Sequence, residues 1–537
     1  MKFCEYIYHR LQELSYDHVF GLPGYYIMPL WQQFISKRPN LVLATHEASA
    51  VYMADGWTRF NHDKPAVVLV TLGPGITNTI TGVASAYKDS IPMIIISGQA
   101  KTTDISSGSF QECAPNVSHS FSPAELLKPI TKMSLEITDK KKAVDDFEKA
   151  LKVSMSGRKG PVYLSIPLDV QLSDVAPKKG YNFKPSFKKI SHKEKIIKLI
   201  NQSERPLIIS GWGVFLSNTE NLLKDFSTKL SAPILTTIKG LSTIDSHFQN
   251  FIGHIGHGQR KETMDFLEKY KPDLTIVLGA SLSSYYLSAI STLLNNTKII
   301  NVNLEKNTRI NCVNVLSDLT NFFGKILPNL KQKNKHLDLP LSFPSNIQGK
   351  HIMANSIALL NNILPANSIV VPDAGNHWLN TLYYCFPQKI NGFFTNAGLA
   401  GMAHAIGFSI GLAFTQSKRK IICISGDGSF LMGGNEIITA QKYRLNVLFI
   451  VFNNSSLGRI RIAQKQNFKR NYVATSLNNV SYTKLGDAFS IKSYVVKSVS
   501  GFKKKVQKAL KYKGSVLIEV ISSSDEIPPC LEERKQS

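Results

Sequence analysis

The stretch GDGSFLMGGNEIITAQKYRLNVLFIVFNN, residues 426–454, sets an acidic residue between two glycines and closes on a pair of asparagines. The apolar run KIICIS just before it reads as a buried strand, and GDGS permits a tight turn whose backbone N–H groups can approach a phosphate. Asp427 puts a hard oxygen ligand at the foot of that turn. The pattern predicts a helix from about Phe430 to Tyr443, after which VLFIVF returns the chain along a neighbouring parallel strand to Asn453 and Asn454. A carboxylate from one strand end and an amide oxygen from the next would then converge on one point. That is the arrangement Mg2+ takes when it bridges two phosphates, with a few protein oxygens and the rest from the ligand. Asx capping of glycine turns would explain GDG alone. GDG, helix, strand and NN in this order are far more specific.

The rest of the chain sets the context for that site. Its 537 residues are too many for one ordinary core, so three domains are expected. With 43% hydrophobic and 19% charged residues the composition is globular. The opening MKFCEYIYHRLQELSYDHVFG mixes charge into every turn, unlike a secretory signal, and no apolar run approaches the roughly 20 residues of a membrane helix. A soluble, cytoplasmic protein with no membrane partner is expected. Six cysteines without a CxxC pair or His/Cys metal spacing read as reduced thiols. The net charge of +25 is unusual, but its lysines are scattered over segments such as KKK at 140–142, KQKNKH from 331 and FKKKVQKALKYK from 502. Without interleaved aromatics, a helix-turn-helix or a zinc finger, these read as solvated faces, and no nucleic-acid partner is expected.

Two stretches rich in Lys, Pro and Ser, LSDVAPKKGYNFKPSFKKISHKEK from Leu172 and PNLKQKNKHLDLPLSFPSNIQ from Pro328, read as linkers. They divide the chain into expected domains at 1–172, 190–330 and 345–537. In each, short apolar runs alternate with helical patterns: LVLAT, AVVLVTLG and MIIISGQ, then PLIISGWG, LTIVLGAS and KIINVN, then SIVVPDAG, KIICISGDG and VLFIVFNN. The fold class is therefore α/β, three doubly wound domains with mostly parallel sheets, which bind ligands beyond the carboxyl ends of their strands.

At this point the residues resemble a known family. GDG…NN is similar to the cofactor motif of thiamine diphosphate (ThDP)-dependent enzymes, and the order of segments resembles the acetolactate synthase (catalytic large subunit) and pyruvate oxidase branch. The resemblance implies that Asp427 and Asn454 bind Mg2+ by side chain and Ser456 by its carbonyl, with Gly426, Gly428, Ser429 and Leu457 around the cofactor. It also demands a buried glutamate near the start, and LVLATHEASAVYMADGWTRF supplies Glu47. ThDP acts as a carbanion once its thiazolium C2 loses a proton, and a carboxylate on the pyrimidine N1' favours the tautomer whose 4'-imino group takes that proton. VFGLPGYYIMPLW resembles the FGxPG loop, with Gly24 beside the cofactor, and LVTLGPGITNT resembles the GPG turn, with Gly75. FQE at 110–112 matches a segment whose glutamine faces the reacting centre, so Gln111 becomes a candidate donor to a developing oxyanion. RKGPVYLSIPLDV and RPLIISGWGV are similar to the segments that close the first domain and open the second.

Asn376 and His377, in DAGNHWLN, fall where the family contacts ThDP, whereas His46 adjoins Glu47, and His254 and His257 read as structural. His404 is either a substrate contact or a packed helix residue. The chain also departs from the family. GLAGMAHAIG replaces the GTMG segment, so Gly401 stays near the cofactor while either Ala400 or Met402 is the apolar prop that bends it. Leu168 and Ala48 stand where lysine and glutamine are common, and Ser281 replaces the arginine of a flavin-contacting segment, which leaves FAD open.

The resemblance implies decarboxylation of a 2-oxo acid, pyruvate first, and carboligation to a second 2-oxo acid. It further implies a homodimer or homotetramer whose sites draw Glu47 and Asp427 from different chains; a regulatory subunit stays open. The alternatives are a non-oxidative 2-oxo acid decarboxylase, a 2-hydroxyacyl-CoA or oxalyl-CoA lyase and, remotely, a basic nucleic-acid-binding protein on an inactive scaffold.

Overall fold

The computed structural model of the chain describes residues 1–35, 38–114, 120–178, 180, 190–335, 337, 339, 351–416 and 418–532. Much of the two expected linkers, at 181–189 and 340–348, lies outside the described residues.

The first sheet holds β1 (His18–Gly21), β2 (Asn40–Leu43), β3 (Ala66–Val70), β4 (Met93–Gln99), β5 (Met133–Glu136) and β6 (Pro161–Pro167), in the order β2-β1-β3-β4-β6-β5. The second holds β7 (Pro206–Ser210), β8 (Ile234–Thr237), β9 (Phe251–Ile255), β10 (Leu274–Leu278), β11 (Lys298–Asn303) and β12 (Val313–Leu316), in the order β12-β11-β10-β7-β8-β9. In the third, β13 (Ile369–Pro372), β14 (Ile421–Gly426), β15 (Val447–Asn453), β16 (Lys492–Val496) and β17 (Val516–Ile521) run in the order β13-β14-β15-β17-β16. The pairs within these sheets are parallel, and the inner strands β3, β4, β7, β10 and β15 are buried throughout, as helices on both faces require. The chain is thus three α/β units.

Six helices position the site: α1 (Glu47–Thr58) after β2, α2 (Asn376–Tyr384) after β13, α3 (His404–Thr415), α4 (Asp427–Gly433) after β14, α5 (Ile437–Lys442), and α6 (Gly458–Asn467) after β15. The helix expected from Phe430 to Tyr443 starts earlier, at Asp427, and is broken into α4 and α5 by a 3-10 turn at Gly434–Glu436. Gly433 leaves the helical region there (φ −148°, ψ 9°), and a side chain at Gly434 would strike the Phe430 ring.

Helices α1 and α3 meet backbone to backbone. A Cβ at Gly411 would lie 1.9 Å from the Met53 carbonyl oxygen, and one at Gly56 2.1 Å from that of Phe408. This contact joins the first and third sheets in one apolar cluster that includes Val68, Ile95, Ile406, Phe408 and Val451. A second cluster joins Ile208 and Ile276 of the middle sheet to Ile422 and Ile450 of the third. Each such side chain contributes about 1.5–3 kcal/mol on burial, so the sheets are held in fixed relation. Among the described residues no helix is long and apolar enough to cross a membrane.

Candidate active site

Strands β14 and β15 run in level register, Gly426 opposite Phe452, so the residues that follow them emerge side by side. Asp427 is buried; its Oδ1 accepts from the Gly428 N–H at 2.8 Å, and its Oδ2 accepts from the Asn454 and Ser456 N–H groups at 3.0 and 3.2 Å. Asn454 Oδ1 accepts from the Ser456 N–H at 3.1 Å, while the Ser456 hydroxyl donates to the Thr475 carbonyl at 2.9 Å and fixes the loop. Burial raises the Asp427 carboxyl above its ordinary range, against the opposing pull of the amides around it. A divalent cation on these oxygens would supply further compensation.

The glycine turn beside them is a cradle ringed by side chains. A Cβ at Gly428 would lie 2.7 Å from Leu457 Cδ2 and 3.4 Å from Met402 Cε, and one at Gly426 would lie 2.9 Å from His377 Cε1. At Gly458 it would lie 2.8 Å from Asn454 Nδ2 and 2.9 Å from Asn376 Nδ2. The Ser429 hydroxyl donates to the Ala374 carbonyl at 3.4 Å. Of the two apolar candidates, Met402 is thus the one that reaches Gly428, while Ala400 and Gly401 line a small cavity with Asp373 and His404. Asn376 Oδ1 and His377 Nε2 are buried without a hydrogen-bond partner, and burial pushes the His377 ring down to about 3. Orphaned polar atoms beside a turn closely ringed by side chains fit a diphosphate held through a metal ion.

Glu47 opens α1, only 8% exposed, and its Oε2 accepts from Asn78 Nδ2 at 3.0 Å. His46 caps the same helix, with Nδ1 accepting from the Ala48 N–H at 3.1 Å. Gly24 and Gly75 both press on Thr71, where added Cβ atoms would lie 2.3 and 2.9 Å from its side chain. Gln111 is exposed with φ 60°, its carbonyl oxygen against Gly73, and the Tyr26 hydroxyl donates to the Phe110 carbonyl at 3.0 Å, tying FQE to the FGLPG loop.

These residues follow β1 to β4 at the carboxyl edge of the first sheet, whereas the Asp427 group follows β14 and β15 of the third. Thr45, just before α1, also meets the third domain, its N–H and hydroxyl donating to Glu436 Oε2 at 3.1 and 2.6 Å. Large apolar side chains near these residues in sequence are exposed: Tyr25 by 74%, Phe110 by 80% and Met432 by 64%.

His404 is a packed helix residue, bonded through Nε2 to Asp55 Oδ2 at 2.9 Å. His254 bonds the His257 carbonyl at 2.9 Å, and His257 packs edge-on against Trp378. Asn78 and Asp373 were not among the candidates from sequence. Asn78 lies three residues beyond Gly75, yet nothing local marks it as the partner of Glu47.

Three family models match the chain. Residues 1–119 match the family description "Thiamine pyrophosphate enzyme, N-terminal TPP binding domain", residues 193–325 its central domain and residues 373–520 its C-terminal TPP binding domain. The acetolactate synthase large subunit of Buchnera aphidicola subsp. Acyrthosiphon pisum (strain APS) is 28% identical, over 90% of this chain and 88% of its own. The acetolactate synthase isozyme 1 large subunit of Escherichia coli (strain K12) is 27% identical, over 98% and 96%. The solved benzoylformate decarboxylase of Polynucleobacter necessarius superposes with a TM-score of 0.87, 98% of this chain on 99% of that one, at 22% identity, which speaks for the fold alone. The chain belongs to the thiamine pyrophosphate (ThDP) enzyme family, in its acetolactate synthase-like branch.

Proposed function

We propose that the chain is a Mg2+-dependent carboligase that decarboxylates a 2-oxo acid, pyruvate first among candidates, and joins the remaining fragment to a second 2-oxo acid. The observation that supports it most is the convergence of Asp427, Asn454 and Ser456 beside a glycine cradle ringed by Met402, Leu457, Asn376 and His377. Asp427 and Asn454 would hold Mg2+ by side-chain oxygens and Ser456 by its carbonyl, with Gly426, Gly428 and Ser429 against the diphosphate. ThDP, when bound, supplies a nucleophilic thiazolium C2 that can also take up the electron pair released with CO2. Glu47 would hold the proton at the pyrimidine N1', and Met402 would be the apolar prop beneath the cofactor. Gln111 would donate to the oxygen on which charge develops. For pyruvate the balance is two anions and one proton to one acetolactate anion and one CO2. The relatives named acetolactate synthase support this outcome.

The exposed apolar side chains near these residues, with Glu47 following the first sheet and Asp427 the third, support a homodimer or larger homo-oligomer that completes each site across the subunit boundary; the three domains would be 1–172, 190–330 and 345–537. The deciding experiment gives purified protein ThDP, Mg2+ and pyruvate and records CO2, acetolactate and acetaldehyde together. Acetolactate equal to CO2 supports the proposal. Acetaldehyde in its place refutes the carboligase and leaves a decarboxylase, and visible absorbance of the same sample scores flavin.

A further inference from the structure

His404 stands two residues after Met402, and its bond to Asp55 is buried, with both side chains 3% exposed. The imidazole lies on Tyr52 and Phe408, at 4.8 and 5.3 Å between centroids. The other oxygen of Asp55 pairs with Arg59 Nη2 at 2.7 Å, and that guanidinium in turn sits on the Trp212 ring at 4.6 Å. Asp373, at the end of β13, lines the same small cavity as His404, Ala400 and Gly401. Its Oδ1 accepts from the Ala374 N–H at 2.9 Å. Three of the segments that carry proposed cofactor contacts therefore reach this one cluster. Asp55 lies about two helical turns along α1 from Glu47, Asp373 three residues before Asn376, and His404 two after Met402.

We propose that His404 is a positioning residue for the reaction: its bond to Asp55 fastens the loop that presents Met402 to α1, so the cofactor cradle depends on a contact that touches no ligand. The inference rests on the ThDP reading of the site. His404 is well placed for the task because α1 and α3 already touch through Gly56 and Gly411, which leaves the loop before α3 as the adjustable part. Without the bond, Asp55 keeps Arg59 as partner, so the fold has a reason to survive while the loop loses its anchor.

The test titrates Mg–ThDP into apo wild type, His404→Gln and His404→Phe by calorimetry, with the unfolding temperature of each apoprotein recorded alongside. Gln can still donate to Asp55, whereas Phe keeps the ring on Tyr52 and Phe408 and cannot. The expected result is affinity within about threefold of wild type for Gln and about tenfold or more weaker for Phe, the scale of losing a supporting hydrogen bond around a bound group. The Phe variant should also lose kcat with little change in KM for pyruvate. Equal affinity in wild type and the Phe variant, or equal weakening in Gln and Phe, overturns the proposal in favour of simple packing. Should the Phe variant fail to fold, His404→Asn, too short to reach Asp55, is scored by the same criterion. A wild type that takes up no Mg–ThDP would instead overturn the cofactor reading, and this inference with it.

Discussion

Asp373→Asn isolates the energetic cost of one buried carboxylate. Burial pushes this carboxyl from an ordinary 3.8 up to about 6, while the amides of Ala374, Ala403 and Ala405 and the nearby His404 pull the other way. Because the folded state binds this proton more tightly than the unfolded chain, the group's contribution is fully present below about 3.8 and is lost as pH rises through about 6. A shift of roughly two units at about 1.4 kcal/mol each bounds the loss near 3 kcal/mol, of which about 2 kcal/mol falls between roughly pH 4.5 and 7.5. Asparagine has the same shape and does not titrate. Urea unfolding of the two apoproteins, followed by tryptophan fluorescence since Trp378 lines the same cavity, gives a stability difference in which the other titrating groups cancel. Wild type minus variant should fall by about 2 kcal/mol over that pH range. A difference that is flat with pH, or that rises, would refute the claim that the carboxylate is held at a cost.

Other expected outcomes bear on the proposed site directly. Glu47→Gln should keep Mg–ThDP binding and lose about 10²–10⁴ in turnover; full activity would remove Glu47 from the chemistry. Asp427→Ala should weaken Mg-dependent ThDP uptake about tenfold or more, and unchanged affinity would take Asp427 out of the metal site. Gly428→Ala places a Cβ 2.7 Å from Leu457 Cδ2, so ThDP affinity should fall while the apoprotein unfolds at its usual temperature. Mixing the Glu47→Gln and Asp427→Ala proteins with subunit exchange should recover activity if sites are shared. In random dimers half are hybrids and half of their sites are intact, so recovery approaches about one quarter of wild type; none at all would place each site within one chain.

What could be read from sequence and what could not divide along a physical line. Strands buried on both faces must be near-continuous apolar runs, so KIICIS and VLFIVF announce β14 and β15, and their level ends follow from pairing two runs of similar length. Glycines mark places where no side chain fits, so the turn at Gly426 and Gly428 is visible locally. The helix expected from Phe430 to Tyr443 is instead broken beside Gly433 and Gly434. The bonds between distant side chains left no local trace. His404 sits in a helix whose residues from His404 to Ala413 are all buried, so no polar face shows which way it points. Burial at 3% means the ring must be paired, yet its partner lies 349 positions earlier, on a helix that is itself almost wholly buried. Glu47 and Asn78 present the same difficulty over a shorter span. A chain of this kind can therefore keep every recognisable motif around Asp427 and Glu47 and still lose a working cradle through a change at Asp55 or His404. Motifs record what the backbone must do at the ligand; the contacts that hold those motifs in register are set by packing between helices that no local pattern connects.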